Sequence, residues 1–588
     1  MDKMRYMRRE HMDEIKHVVT GDVLIIGSGL AGSMAAISCL EYGQKVIVVN
    51  KGKMCWSGST AVCGGNDIAV CFPEDDSALW LKAFVESSDY TADQNWIEIF
   101  LKESYTQLLK LETLGEKHGL EIFPKQNGAF WRINRAINPF RTVLCNLYSA
   151  LEAFSKELKV SNAVLYERIM ITKLLEEGGK ITGAIGIHYR TGEVYLFQAK
   201  AVVLATGCCT YKADLFDVCG EGYTMAYEIG AKMMSFDRGG AIMRPKDVMR
   251  GGLLCSSASS SMANALGSKL VNREGVDIKE HMTEEEKKLG RVGQDRAIQR
   301  EIEQGRGPIY EDFINLPDNV KTVLSQLRCA AVKRVQLEYG KNPFTETIPM
   351  EHIEQTITPD QSNRMGGVWI DCTGQTSIEG LFAVGDASCP KISFQHPYNG
   401  SDLGWALLSG GRVGKYVAQY CADMTMNSQN DLNDIQVRQE LARYRALLEK
   451  KDGVKPDELK EMLIQIMIPY DIHHCNEKAM VQCLDKIYNF IQQDLPRAKA
   501  ENLHELREAL EVYSMAHVAV MIVSSELYRK ESRVGVRRED YPFMDNLHWK
   551  KWIGFVKHEN QMCFFTESIP ENLYEIPDEV NTPFVTRL

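Results

Sequence analysis

The ordered hydrophobic pattern begins about twenty polar residues into the chain. Asp22-Val-Leu-Ile-Ile-Gly27 is a short apolar run that stops at glycine. Leu30 to Tyr42 then reads as a helix with small residues on one face, and Gly43 sits where a C-cap belongs. Lys45-Val-Ile-Val-Val-Asn50 is a second apolar run, so strand, glycine turn, helix and strand predict a βαβ unit. Residues 80–160 read as mostly helical. Short β runs follow at Met170–Leu174, Thr182–Tyr189, Val194–Phe197 and Ala201–Ala205, with Arg190-Thr-Gly192 as a tight turn between two of them. Residues 240–350 lose this regularity, and their Gly and Ser clusters and the charged stretch Lys279–Lys288 mark them as an inserted segment. Strand patterns return at Gly367–Asp371 and Leu381–Val384, and Ser401–Tyr420 reads as a helix. From about residue 430 the periodicity is helical: Leu441, Tyr444 and Leu448 share one face, as do Leu503, Leu506, Leu510 and Tyr513. The polar stretch Ser428–Asp434 is the expected linker.

Composition narrows the class. The 588 residues allow roughly three domains of about 150 residues each, and 44% hydrophobic with 25% charged residues is ordinary globular composition. A net charge of −11 argues against nucleic acid as the main partner, because phosphate binding wants a basic face. An anionic substrate stays open, since a pocket can be locally basic. The 16 cysteines are scattered, with Cys208–Cys209 the only adjacent pair and no CxxC to hold an iron–sulfur cluster. Such cysteines suit a reducing compartment. The N-terminus lacks the apolar core of a secretory signal, and no apolar run approaches the ~20 residues that span a bilayer. A cytoplasmic protein without a membrane span is expected.

Three motifs carry chemistry. In Gly27-Ser-Gly29-Leu30-Ala31-Gly32 the first glycine makes a turn, the second admits a pyrophosphate and the third lets helix pack on strand, while the helix N-terminus offers free N–H groups. Lying between two strand patterns, it has the context a dinucleotide fingerprint requires. The second strand ends in Asn50 where Asp or Glu usually takes the ribose hydroxyls, and an amide oxygen can still accept that bond without the charge. Val203-Leu-Ala205-Thr206-Gly207 is the second motif. Gly380-Leu-Phe-Ala-Val-Gly385-Asp386-Ala387 is the third, and it sets a carboxylate within reach of ribityl or ribose hydroxyls. An NAD dehydrogenase would not need the second and third, so the trio points to FAD. His473-His474-Cys475 lacks a spaced partner for a metal, and no metal site is expected.

With these motifs in place the chain resembles the flavoprotein subunits of fumarate reductase, succinate dehydrogenase and adenylylsulfate (APS) reductase, with L-aspartate oxidase as a cousin. Arg529-Lys-Glu531-Ser532-Arg533, then Arg537-Arg538-Glu539-Asp540-Tyr541-Pro542 and Trp549, are similar to the family's TESR…REDFP…W stretch. Local segments resemble the APS reductase α subunit: Arg244-Pro-Lys-Asp, Asn264-Ala-Leu-Gly267, Gly305-Arg-Gly-Pro-Ile-Tyr310 and Gln395-His396-Pro-Tyr-Asn-Gly400-Ser401. Fumarate-reductase hallmarks are mostly missing. The RGEGG arginine falls near Asn264, a histidine before Met-Gly-Gly near Ser362, and the flavin-linking histidine at Gly58. The APS match also departs, with no nucleotide-stacking tryptophan near Tyr211–Phe216.

The resemblance implies an α/β fold: a Rossmann-like FAD-binding domain of glutathione-reductase type in two parts (1–240 and 356–428), an inserted α+β capping domain (241–355) and a C-terminal helical domain (429–588). It implies non-covalent FAD held by Gly27, Gly29, Leu30, Ala31, Gly32, Asn50, Lys51, Ser59, Thr60, Gly65, Ala205, Thr206, Gly207, Gly385, Asp386, Ser401 and Leu403. Arg244 would clamp an anionic substrate with Arg364 in support, and His396 would donate a proton, since only imidazole titrates near neutrality. Asn66 and Asp67 are secondary candidates. An iron–sulfur carrier subunit would supply electrons, and an oligomer is expected.

Overall fold

The computed structural model describes residues 15–577 except 64–65, 136–138, 210–217, 238–261, 289–296, 299, 330–331, 334–335, 338–339, 347, 351–365, 390–399, 425–434, 468–474 and 534–535. The opening βαβ unit forms as its pattern predicts. Strand β1 (His17–Ile26) leads through the glycine turn into helix α1 (Leu30–Glu41) and strand β2 (Val46–Asn50), with Gly43 left-handed just past the helix. Val23–Ile26 of β1 and the whole of β2 are buried on both faces, which is why these stretches read as unbroken apolar runs. Leu24, Ile26, Ile47 and Val49 enter one core, and Val23, Ile25, Val46 and Val48 enter another on the opposite face.

Further along lie α2 (Gln94–Lys117), β3 (Val164–Glu167), β4 (Ile169–Glu177), β5 (Lys180–His188), β6 (Val194–Leu204), α3 (Glu221–Glu228), β7 (Leu381–Ala383), α4 (Ser401–Ala422) and α5 (Leu503–Tyr528). In the main sheet β3, β2, β1 and β6 run side by side and parallel. The sequence pattern suggested two strands where the structure has the single β6. That strand changes neighbours partway along one edge: Val194–Gln198 pairs antiparallel with β5, and Val202–Leu204 pairs parallel with β7. Lys200, between the halves, turns its ammonium to Asp22 at 2.9 Å and breaks the apolar run.

Two other segments depart from expectation. The stretch expected to be helical from 80 to 160 is interrupted by strands Arg132–Asn134 and Arg141–Cys145, which form a three-stranded sheet with Asn66–Ile68. The C-terminal segment is helical as expected, then closes in a hairpin, Lys551–His558 and Gln561–Ser568. This hairpin joins Met233–Met234, Gly367–Trp369 and Ser388–Cys389 in a five-stranded sheet. The inserted segment contributes the antiparallel strands Lys269–Val271, Ile309–Asp312 and Ile348–Met350. Its helix Asp318–Leu327 packs against Trp131, Ile133 and Leu144. Among the described residues one helix, α5, is long and apolar enough to cross a membrane, but most of it is buried in the protein core. Of the expected faces, Leu441, Tyr444, Leu503, Leu506 and Leu510 share a cluster with β4, β5 and β6 and Leu448 packs against it, while Tyr513 packs against the main core instead.

Candidate functional site

Register places the candidate site. Ile26 of β1 lies opposite Val49 of β2 and Leu204 of β6, and Leu204 lies opposite Ala383 of β7. The four strands therefore end level, and the segments after them, Gly27–Gly32, Asn50–Thr60, Ala205–Gly207 and Gly385–Asp386, meet along one edge. Ligands bind outside the carboxyl ends of such strands.

The glycines divide the work by geometry. Gly27 has φ +104°, and a side chain there would press into the Ala205 carbonyl. A side chain at Gly32 would strike the Gly27 carbonyl, so this glycine serves helix–strand packing. Gly29 differs: a Cβ there would meet only Thr60 Oγ1, at 3.3 Å. Gly29 is also the N-cap of α1, with no side-chain cap and no acid in the first turn. Such an end favours an anion. Leu30 N–H donates to Thr60 Oγ1 at 3.2 Å, and Ala31 is buried beside Gly385, whose added Cβ would lie 2.7 Å from the Ala31 Cβ.

The later motifs are held from behind. Ala205 N–H donates to Ile26 O at 2.9 Å. Gly385 N–H donates to Ser409 Oγ at 2.9 Å, and its carbonyl accepts Trp405 Nε1–H at 3.1 Å. The Asp386 carbonyl accepts the Tyr223 hydroxyl at 2.6 Å. Ser401 opens α4, and its N-cap, Gly400, also lacks a side-chain cap. Leu403 is partly buried in the first turn. Ser59 Oγ and Thr206 Oγ1 are buried with no hydrogen-bond partner among the described residues. Hydroxyls of this kind are rarely left unpaired, and both stand on segments that meet at this edge, where a cofactor rich in phosphate and hydroxyl groups would satisfy them. The residues present fit FAD.

Lys51 and Asn50 both make contacts within the protein at this edge. The Lys51 ammonium pairs with Glu221 at 2.5 Å and Glu511 at 2.9 Å, and Glu511 also takes Arg507 at 3.1 Å. Its charge is thus balanced by carboxylates. Cys219, Glu221 and Glu511 bring their ligand atoms close together, and the cation among them is this lysine. Asn50 is 5% exposed, and its amide is engaged at both ends, to Ser28, Lys53 and Ser57.

Arg244, Arg364, His396 and Gly65 lie outside the described residues, as do Tyr211–Phe216, Ser362 and His473-His474. Asp67 is described and fully buried, where Arg135 and Thr142 both donate to its carboxylate and Arg135 also reaches Asn66. Burial holds the Arg135 guanidinium below its ordinary pKa, against the pull of Asp67. Sequence reasoning missed Arg135 because its partner is 68 residues away. It also missed Glu221 and Glu511, whose only local signal is an acid in the first turn after Gly220. The Cys208 and Cys209 side chains are buried.

Comparison with known proteins agrees with this geometry. Residues 22–403, more than half of the chain, match the family described as FAD binding domain, and residues 461–571 match the fumarate reductase flavoprotein C-terminal family. The chain is 27% identical to a component of the fumarate reductase (CoM/CoB) of Methanothermobacter marburgensis, over 90% of this chain and 96% of that one. Its fold is similar to adenylylsulfate reductase of Archaeoglobus fulgidus, with TM-score 0.75, 20% identity, and 97% and 98% of the two chains covered. It is equally similar to E. coli quinol fumarate reductase, with TM-score 0.75, 18% identity, and 96% and 98% covered. At such identities the two structures share the fold and decide nothing between their substrates. The chain belongs to the FAD binding domain family, and it is an FAD-dependent oxidoreductase of the fumarate reductase and succinate dehydrogenase flavoprotein type.

Proposed function

We propose that this oxidoreductase reduces a small anionic substrate with electrons from a separate carrier, in the manner of the adenylylsulfate reductase α subunit. The observation that supports this reading over a fumarate-type one is Asn264. It lies partly buried in the turn Met262–Gly267, and by sequence resemblance it stands at the position of the arginine that a fumarate-type site uses as its cationic proton donor. A carboxamide is neutral near pH 7 and has no proton to deliver to carbon. Arg244 clamps the substrate anion with Arg364 in support, and His396 supplies the proton that is transferred. Bound FAD supplies the two-electron redox chemistry, and Gly58, in place of a flavin-linking histidine, leaves it non-covalent. The four-part division at 240, 355 and 428 belongs to the same proposal, with Arg244 in the capping part. The absence of CxxC pairs from the sequence supports electron supply by an iron–sulfur carrier subunit, in a cytoplasmic, oligomeric complex. One observation favours a second reading, an ene-reductase of unsaturated carboxylates: the relative at 27% identity is named a fumarate reductase.

Photoreduced protein, followed by flavin absorbance, separates the two. Reoxidation by adenylylsulfate, and reduction of the oxidised protein by sulfite plus AMP, is the expected result. Reoxidation by fumarate or an aryl-acrylate alone would move the assignment to the second reading. The substitution Arg244→Ala should lower kcat/KM by about a hundredfold or more, the scale of losing a charge-assisted contact to the transition state.

A further inference from the structure

Asn50 ends the second parallel strand, the place from which a carboxylate would take the ribose hydroxyls of the adenosine half. Its side chain is engaged elsewhere. Oδ1 accepts Ser28 N–H at 3.1 Å, while Nδ2 donates to Lys53 O at 2.9 Å and to Ser57 Oγ at 2.7 Å. An amide nitrogen has two hydrogens, so both donors are in use. The partners belong to two different segments. Ser28 lies inside the phosphate-binding turn, and Lys53 and Ser57 lie in the loop that leads to Ser59 and Thr60. Two more bonds tie the same segments together, Cys55 N–H to Ser28 Oγ at 2.8 Å and Leu30 N–H to Thr60 Oγ1 at 3.2 Å.

We infer that Asn50 is a positioning residue: it clasps the glycine turn to the 51–57 loop, fixes the turn's shape for the pyrophosphate, and is not the ribose acceptor. The clasp explains why the chain has an amide here. Aspartate could still accept Ser28 N–H, but it has no hydrogen for Lys53 O and would set two acceptors 2.9 Å apart. A ribose acceptor would gain from the negative charge, so Asn50→Asp has opposite signs under the two roles.

The test uses full-length protein freed of FAD, with FAD affinity read by flavin fluorescence and the folded state checked by thermal unfolding. Asn50→Asp and Asn50→Ala should each weaken FAD by about tenfold, the loss of one to two hydrogen bonds. Ser57→Ala, which removes one arm of the clasp, should weaken it about threefold. The affinity ratio of ADP to 2′-deoxy-ADP and to 3′-deoxy-ADP should be the same in wild type and Asn50→Ala. A residue that only stabilised the fold would lower the unfolding temperature and leave the FAD affinity unchanged, and that result overturns the inference. It is also overturned if Asn50→Asp binds FAD as tightly as wild type or tighter, or if Asn50→Ala erases the discrimination against the deoxy nucleotides. Should the Asn50 variants not fold, Ser57→Ala decides alone, and unchanged FAD affinity there overturns it.

Discussion

At the scale of single residues, the glycine turn separates folding from binding. Gly29 and Gly32 are three apart, yet a methyl group at each meets different surroundings. At Gly32 it would collide with the Gly27 carbonyl, and overpacking of this kind costs about 1–3 kcal/mol. At Gly29, where φ is −69°, it has room in the protein and intrudes only on what binds above the helix end. Gly29→Ala should therefore leave the unfolding temperature of the FAD-free protein nearly unchanged while weakening FAD by about tenfold or more. Gly32→Ala should lower both. Flavin titration beside calorimetry checks this, and a Gly29→Ala protein that keeps wild-type affinity would remove the pyrophosphate from the turn. The glycines were legible in the sequence because backbone clashes fix them locally. Asn50 was legible as a departure, but its three partners were not, since nothing in a linear pattern shows where an amide points. The partners of Lys51 were hidden for a related reason: the carboxylates that balance it lie 170 and 460 residues away.

Elements were read well where periodicity was strong and poorly where pairing overrode it. Helix α1, strand β2 and helix α4 emerged within a residue or two of their limits, β1 starts five residues before its apolar run, and β6 was divided because its two halves have different neighbours. Helix α2 shows how an element's end can carry a pH response. Its N-cap is Asp93, which accepts Asn95 N–H at 2.9 Å and Trp96 N–H at 3.4 Å. Burial pushes this carboxyl up to about 6, and the two backbone donors offset only part of that. The folded protein thus holds a proton that the unfolded chain has released between about pH 4 and 6. Stability from this group falls as pH rises through that window, and the cost is fully present above it. Asparagine caps a helix as well as aspartate and has no charge to bury. Asp93→Asn should accordingly be more stable than wild type at pH 8 by on the order of 1–3 kcal/mol, against about 0.3–1 kcal/mol lost from the helix dipole. Near pH 4 the advantage should vanish. Denaturant unfolding at both values measures it, and a difference independent of pH would show that Asp93 does not titrate in this way.

For the whole molecule, the question is whether the C-terminal helices form a unit of their own. Their sequence pattern changes so sharply after residue 430 that a separate domain was the natural expectation. Its packing is nonetheless shared with the rest of the chain, because one apolar cluster runs from Leu24 and Val49 of the parallel sheet through α5 to Ile576. The family's C-terminal marker lies where these parts meet. Glu531 is fully buried and takes Arg529 at 2.5 Å and Arg533 at 2.5 and 2.8 Å, together with Asp545 N–H at 2.8 Å. Arg529 continues to Asp237, and Arg533 to the Asp89 carbonyl and Asn546. These side chains join positions as far apart as 89, 237 and 546, and none of them lies on the segments that meet at the flavin edge. Replacing Glu531 by Gln keeps the shape and removes the charge, leaving two buried guanidiniums with Asp237 as the remaining carboxylate of this group. Breaking a buried ionic set in this way typically costs about 3–5 kcal/mol. If the core is continuous, that loss is felt everywhere at once. In Glu531→Gln, flavin release and loss of helical circular dichroism should move together to a lower temperature, in one transition, with kcat/KM of the folded protein unchanged. An early loss of helical signal with the flavin still bound would instead show that residues 429–588 unfold alone.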